Sequence, residues 1–411
     1  MSLLIVCAQT AAVMAQVKEL NIESLKTNED RVILRVKAKG EENRPVVTLD
    51  KKDFSVKVID PLTKKPVSDK ITFNWKSPTA TIPPPAWIVV LVDFSGSMNQ
   101  PDGSGSAQRK LDGALGAIKK FVAGAAERGG NTQIAIVPFG KASGNCQVDY
   151  PVNSQTLTKF FPPQDPQLNA YLDALGKQTP CAGTNLYDAV NAAIDFLANP
   201  EDTRFHPAEE SGAEKPRLSI ILVSDGFDTT DTDRSTVIDR LKEHPEIILH
   251  TLGYGLTPRQ LQRKYKLARI PTQKDLYWDN PVPKGKVPAD EFVDKAGLAE
   301  IAAVNGGIAE FSGDSEGIAK ELKLFLTALL GEYEISYQQP ASERGKTYEV
   351  TVASQNVKSA PEEYRITVFG RALSFPTRLA MFVASLAALG IGGVIPYRMW
   401  ANRLEEEARG N

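Results

Sequence analysis

The sequence predicts an α/β protein. A doubly wound, mostly parallel sheet of Rossmann-like build is inserted in a small β-sandwich formed by N- and C-terminal strands, followed by one C-terminal transmembrane helix. Three observations predict this. Residues 87–92 and 218–224 are short apolar runs, the mark of strands buried on both faces of a parallel sheet. Segments with helical spacing lie between such runs, and strands alternating with helices argue for parallel order. Near the C terminus, residues 379–395 carry no charge.

Taken in order, residues 1–15 read as a signal peptide: Leu3 to Ala8 is apolar, and Val13-Met14-Ala15 offers small-residue cleavage before Gln16. The usual positive start is missing, since the first cation is Lys18, and an uncleaved anchor is the competing reading. Cys7 would suit a lipoprotein, but Val6 is bulky for the residue before a lipidated cysteine. Residues 17–82 form a β segment in which Val32, Leu34 and Val36 alternate, as do Phe54, Val56 and Val58, with a third strand over 71–75. Pro83-Pro84-Pro85 is a stiff connector. Residues 86–330 form the α/β domain. Its first helix fits 107–128, with Leu111, Leu115, Ile118, Phe121 and Val122 on one face, and its last fits 317–330 through Ile318, Leu322, Phe325 and Leu329. Strands fit 133–139 and 247–254, and the polar stretch 257–291, with a charged helical piece at 259–268, reads as an insertion.

Residues 332–370 return to β structure, with Tyr333, Ile335 and Tyr337, then Tyr348, Val350 and Val352, then Ile366 and Val368. So few strands make a marginal sheet alone, so the two β segments are expected to combine. Residues 375–397 are long enough to span a bilayer about 30 Å thick, with Tyr397 and Trp400 at the interface and 398–411 as a short cytoplasmic tail. Ala380, Ala384, Ala388 and Gly392 fall four apart, a face through which such helices form homo-oligomers.

The chemistry concentrates where the first apolar run ends, at Asp93-Phe94-Ser95-Gly96-Ser97. Open α/β sheets bind ligands at the carboxyl ends of their strands. A carboxylate and two hydroxyls at i, i+2 and i+4 converge on one point and suit a hard cation such as Mg²⁺. The second run ends in Asp225, followed by Gly226. Thr184 stands before a helical pattern of Leu186, Val190, Ile194 and Leu197, as a candidate N-cap.

With these residues the sequence resembles the von Willebrand factor A (vWA, integrin I-like) family over roughly 87–330. There a D-x-S-x-S loop, a distant Thr and a distant Asp form a metal-ion-dependent adhesion site. The resemblance implies that Asp93, Ser95, Ser97, Thr184 and Asp225 hold Mg²⁺ or Mn²⁺, and that 298–302 with Gly306-Gly307 is the penultimate helix and turn. Hydroxyl ligands are neutral, so the ion keeps positive charge and an exchangeable position, which favours an acidic side chain from a protein partner. The family resemblance places partner specificity in the surrounding loops, here 99–108 and 143–148.

Net charge of −2, without a basic stripe, gives no electrostatic footprint for nucleic acid. Removal of the leader would leave two cysteines, Cys146 and Cys181, both in loops near the metal face; a bridge between them suits an oxidising, extracytoplasmic location, with two reduced buried thiols as the alternative. The expected protein is a membrane-anchored, single-pass, extracytoplasmic (periplasmic or cell-surface) binding module, not an enzyme. The alternatives are a scaffold subunit that organises a membrane complex and a metal-dependent hydrolase. His206, His244 and His250 form no spaced metal motif, and no phosphate loop or nucleophile elbow is present.

Overall fold

The computed structural model describes residues 16–102, 107–144, 146–208, 213–225, 227–277, 281–343, 345–366, 375–389, 392–393 and 395–410. The expected signal peptide, residues 1–15, lies outside them, as do Cys7 and Val368. The chain begins with β1 (Glu19–Asn28), β2 (Arg31–Lys39), β3 (Phe54–Ile59) and β4 (Phe73–Lys76). The α/β part follows: β5 (Ala86–Asp93), α1 (Lys110–Arg128), β6 (Thr132–Phe139), α2 (Ser154–Leu157), α3 (Pro166–Gly176), α4 (Leu186–Leu197), β7 (Arg217–Ser224), α5 (Arg234–Glu243) and β8 (Ile247–Tyr254). It continues through α6 (Pro258–Lys264), β9 (Leu276–Tyr277), β10 (Val287–Pro288), α7 (Lys295–Ala303), β11 (Ala309–Ser312) and α8 (Ser315–Leu330). Last come β12 (Tyr333–Gln338), β13 (Thr347–Ser354), β14 (Val357–Lys358), β15 (Glu362–Arg365), α9 (Phe375–Leu389) and α10 (Ile395–Arg409).

The central sheet has the order β11-β8-β7-β5-β6, and all four pairings are parallel. Its inner strands β5 and β7 are mainly apolar because helices cover both faces. Val90, Val92, Ile136 and Ile221 pack under α1, α3 and α8, which contribute Ile118, Leu172 and Phe325. On the other face Val89, Leu91, Ile220 and Leu222 meet Val190 and Ile194 of α4, Leu241 of α5 and Ile301 of α7. Each such side chain, fully buried, contributes roughly 1.5–3 kcal/mol. Helix α1 stops where Gly129 takes φ +68°, a left-handed conformation that glycine adopts without penalty.

The terminal strands share one core. β12 lies between β2 and β4, with Ile335 opposite Leu34 and Trp75, while β13 pairs with β3, Val352 opposite Val56. Val36, Val58, Ile335 and Val350 are buried together. Antiparallel sheets therefore flank the parallel one, and the α/β unit enters the chain between strands that pair with each other across it.

The structure departs from the sequence expectations at several points. β1 shows no clean alternation, since only Leu20 is fully buried along it, and β11 is a short, half-buried edge strand; neither carries a periodic signal. Within 257–291 the helix ends at Lys264, and a two-strand parallel ribbon follows it. The single helix expected to cross a membrane over 375–397 includes residues 390, 391 and 394, which lie outside the described residues. Among the described residues no helix is long and apolar enough to cross a membrane. α9 and α10 have 15 residues each, about 22 Å at the α-helical rise. Of the small-residue face, Ala380, Ala384 and Ala388 lie on α9.

Candidate metal centre

The site is built from the carboxyl ends of β5 and β7, adjacent parallel strands with Val92 opposite Val223. Asp93 ends β5 fully buried. One of its oxygens accepts from the Ser95 amide at 2.7 Å, a local turn that folds the following loop back over the strand end. The other accepts from the Ser224 hydroxyl at 2.6 Å. The Ser95 and Ser97 hydroxyls are 3.0 Å apart, and Ser97 donates to Asp225 at 2.7 Å. Asp93, Ser95, Ser97 and Asp225 therefore form one buried oxygen cluster.

Thr184 reaches the same edge through the backbone. Its neighbour Ala182 accepts from the Gly96 amide at 3.0 Å and donates to the Phe94 carbonyl at 3.2 Å. Gly183 and Lys141 exchange two backbone bonds of 2.8 and 2.9 Å, and the Thr229 amide bonds the Thr184 carbonyl at 2.8 Å. The Cys146–Cys181 disulfide, with Cα atoms 5.6 Å apart, ties the 141–149 loop to this strap, as the loop placement of the two cysteines predicts. The expected N-cap role of Thr184 is not found. Asn185 is the N-cap of α4 and makes no capping bond; Asp228 instead accepts from the Tyr187 amide at 2.9 Å. A carboxylate brought from 41 residues away does what a local side chain was expected to do.

The electrostatics are lopsided. Burial and then the charge of Asp225 push the Asp93 carboxyl up to about 7. Opposing them, sequence reasoning missed Lys110. This residue opens α1 with 1% of its side chain exposed, and its ammonium lies 2.5 Å from the second oxygen of Asp225. Its only sequence signal is its place in the first turn of a helix that follows the D-x-S-x-S loop. Ser224 was missed too; it is the polar residue closing an apolar run just before Asp225. One turn beyond Lys110, Gly113 allows close approach, since a Cβ there would collide with the Tyr254 hydroxyl. That hydroxyl donates to Asp102 at 3.0 Å.

Among the described residues no group of three or more His, Cys, Asp or Glu gathers in a metal-holding arrangement. The donors here are two carboxylates with hydroxyls. An all-oxygen set that gains surplus negative charge when Asp93 ionises suits a hard divalent cation, so the residues present fit such an ion. Beside the strap lies a cleft of about 250 Å³ lined by Lys141, Ser143, Gly183, Thr229 and Asp231. The larger cleft, about 850 Å³, lies at one end of the sandwich near Arg31, Asn74 and Gln338, away from this cluster.

No curated protein matches the chain. Among solved structures, the conserved hypothetical protein BatB from Bacteroides thetaiotaomicron is 17% identical with a TM-score of 0.33, over 59% of this chain and 99% of that one. Proximal thread matrix protein 1 from the mussel byssus, with a zinc-occupied MIDAS motif, is 16% identical with a TM-score of 0.34, over 60% and 48%. The pilus adhesin SpaC from Lactobacillus rhamnosus GG is 9% identical with a TM-score of 0.39, over 84% and 48%. The chain thus spans about half the length of the latter two. Residues 88–277 match the model of the von Willebrand factor type A domain. With its parallel sheet and helices on both faces, that part of the chain is a von Willebrand factor type A domain.

Proposed function

We propose that the chain is a cation-dependent binding protein that captures an acidic side chain of a protein partner at the carboxyl edge of its central sheet. The observation that carries this reading is the burial of two carboxylates, Asp93 and Asp225, in one hydrogen-bonded cluster with Ser95 and Ser97. Asp93, Ser95, Ser97, Thr184 and Asp225 would hold the ion. Mg²⁺ or Mn²⁺ bound there supplies positive charge and an exchangeable position for an oxygen of the partner. The backbone bonds at Ala182, Gly183 and Thr184, with the disulfide, hold the Thr184 side of the site in place. The adjacent cleft, floored by Gly183, gives a partner side chain room to approach. Binding of this kind makes no covalent bond, and the chain's own groups act by position and charge.

The same reading places the chain outside the cytoplasm and at a membrane. Support comes from the disulfide and from α9, where Leu379, Met381, Phe382, Val383, Leu386 and Leu389 are all exposed. Calorimetric titration of Mg²⁺ and Mn²⁺ into chelator-treated full-length protein tests the site. Saturable binding that disappears in Asp93→Ala is expected. Binding of equal strength in a folded Asp93→Ala protein would move the ion elsewhere and end the proposal.

A further inference from the structure

We propose that Lys110 is a built-in counter-ion of the metal centre, which holds cation affinity low until an acidic partner arrives. This rests on the reading of Asp93, Ser95, Ser97, Thr184 and Asp225 as a cation site. Both oxygens of Asp225 are engaged, one by Ser97 at 2.7 Å and the other by the Lys110 ammonium at 2.5 Å. Among the described residues three cationic side chains are buried; the other two, Lys37 and Arg217, belong to a separate cluster around Glu332.

A buried ammonium is costly unless it is paired. Lys110 is therefore held where it is by Asp225, and its main chain is fixed by a 2.9 Å bond from its amide to the Gln100 carbonyl. Once Asp93 has given up its proton, the two carboxylates bring two negative charges, and Lys110 cancels one. A divalent ion entering this cluster must either displace the ammonium from Asp225 or bind beside it. In the first case it loses a contact already made; in the second it meets like charge at close range. Either way the lysine weakens cation binding. A carboxylate from outside reverses the balance, because it brings the anion that a combined ammonium and divalent ion lack. Cation and acidic partner are then bound jointly, with positive coupling between them.

The test uses full-length protein, treated with chelator, and Mn²⁺ alone as the probe. Parent, Lys110→Met and Lys110→Arg proteins are titrated calorimetrically and melted with and without Mn²⁺. We expect Lys110→Met to bind Mn²⁺ at least tenfold more tightly than the parent, to melt earlier in chelator and to recover with Mn²⁺, and Lys110→Arg to stay near the parent. A Lys110→Met protein that folds only in Mn²⁺ gives the same answer, since the ion then replaces the ammonium. Equal or weaker affinity in Lys110→Met, or a variant that is unfolded with and without Mn²⁺, overturns the inference. Failure of the site itself looks different: no saturable Mn²⁺ binding by either the parent or a folded Lys110→Met protein.

Discussion

Charge is buried in two regions of this molecule, and they use it differently. At the carboxyl edge of the sheet Lys110 pairs with Asp225, and ionisation of Asp93, opposed by burial and by the charge of Asp225, leaves the cluster with surplus negative charge. Where the α/β unit meets the sandwich, Arg217 at the start of β7 pairs at 2.7 Å with Glu332, which lies between α8 and β12. Lys37 lies buried nearby, its ammonium 3.4 Å from the Leu329 carbonyl and its pKa pushed down by burial. There Glu23 and Glu214 add negative charge around the two cations, and the Arg217–Glu332 pair links the α/β unit to the chain entering β12. Pairing of opposite charges fixes a junction, whereas a surplus of one sign asks for an outside ion. On the proposed reading, the difference separates charge that holds a junction from charge that binds an ion better than burial alone, which is nearly complete in both.

The comparison can be broken first at the junction. Glu332→Ala leaves Arg217 buried without its partner, and loss of one member of such a pair costs about 3–5 kcal/mol. Denaturant unfolding should show that loss, while cation affinity per folded molecule stays at the parent value. A cost below about 1 kcal/mol would mean that the junction pair behaves like a surface bridge.

The reverse experiment strikes the metal edge alone. Removing the bridge between Cys146 and Cys181, separated by 35 residues, is worth about 4 kcal/mol on the chain-entropy model. Cys146→Ser/Cys181→Ser protein should unfold earlier by about that amount. The Thr184 strap keeps its backbone bonds to Phe94, Lys141 and Thr229 in the folded state, so cation affinity should fall by less than tenfold. A larger loss would show that the disulfide, not the backbone, sets the position of Thr184.

The smallest expected effect is one of slope, and it sharpens the contrast because the two regions have opposite signs. Asp93 has a raised folded pKa of about 7. The folded state therefore holds a proton that the unfolded chain has released, and this contribution is lost as pH rises from about 4 to 7. His250, behind α8 and stacked on Phe325 at 4.9 Å, has its pKa lowered to about 3 by burial and then by Lys37 and Lys39. Its contribution is present above about 6.5 and is lost as pH falls toward 3. In chelator, Asp93→Asn should flatten the loss of stability between pH 4 and 7, and His250→Gln should flatten the loss below pH 6.5. Melting curves across pH check both; identical profiles for the two variants would refute the opposed signs.

Much of this was legible in the residue pattern because local chemistry decides it. The expected strand 247–254 is the observed β8, and the runs ending at Asp93 and Asp225 are β5 and β7 within one residue. A strand buried on both faces has no polar alternative, so its sequence is unambiguous. Asp93, Ser95 and Ser97 lie within five residues, and their convergence needs only a tight turn. Other features depend on partners distant in sequence. Lys110 looks like any lysine in a first helical turn, and only the fold puts it against a carboxylate 115 residues away. Thr184 has the residue type of an N-cap, yet Asp228 arrives from another loop and takes that work. The run 375–397 has the composition of a spanning helix, while the described helices α9 and α10 are 15 residues each.

The sequence by itself determined the parallel sheet, the oxygen donors at the ends of β5 and β7 and the pairing of terminal β segments, since hydrophobic period and residue type act over a few residues. Only the tertiary structure decided how those donors are compensated. Electrostatic energy depends on distance and burial, and both are set by which distant side chains the packed helices bring to the edge of the sheet.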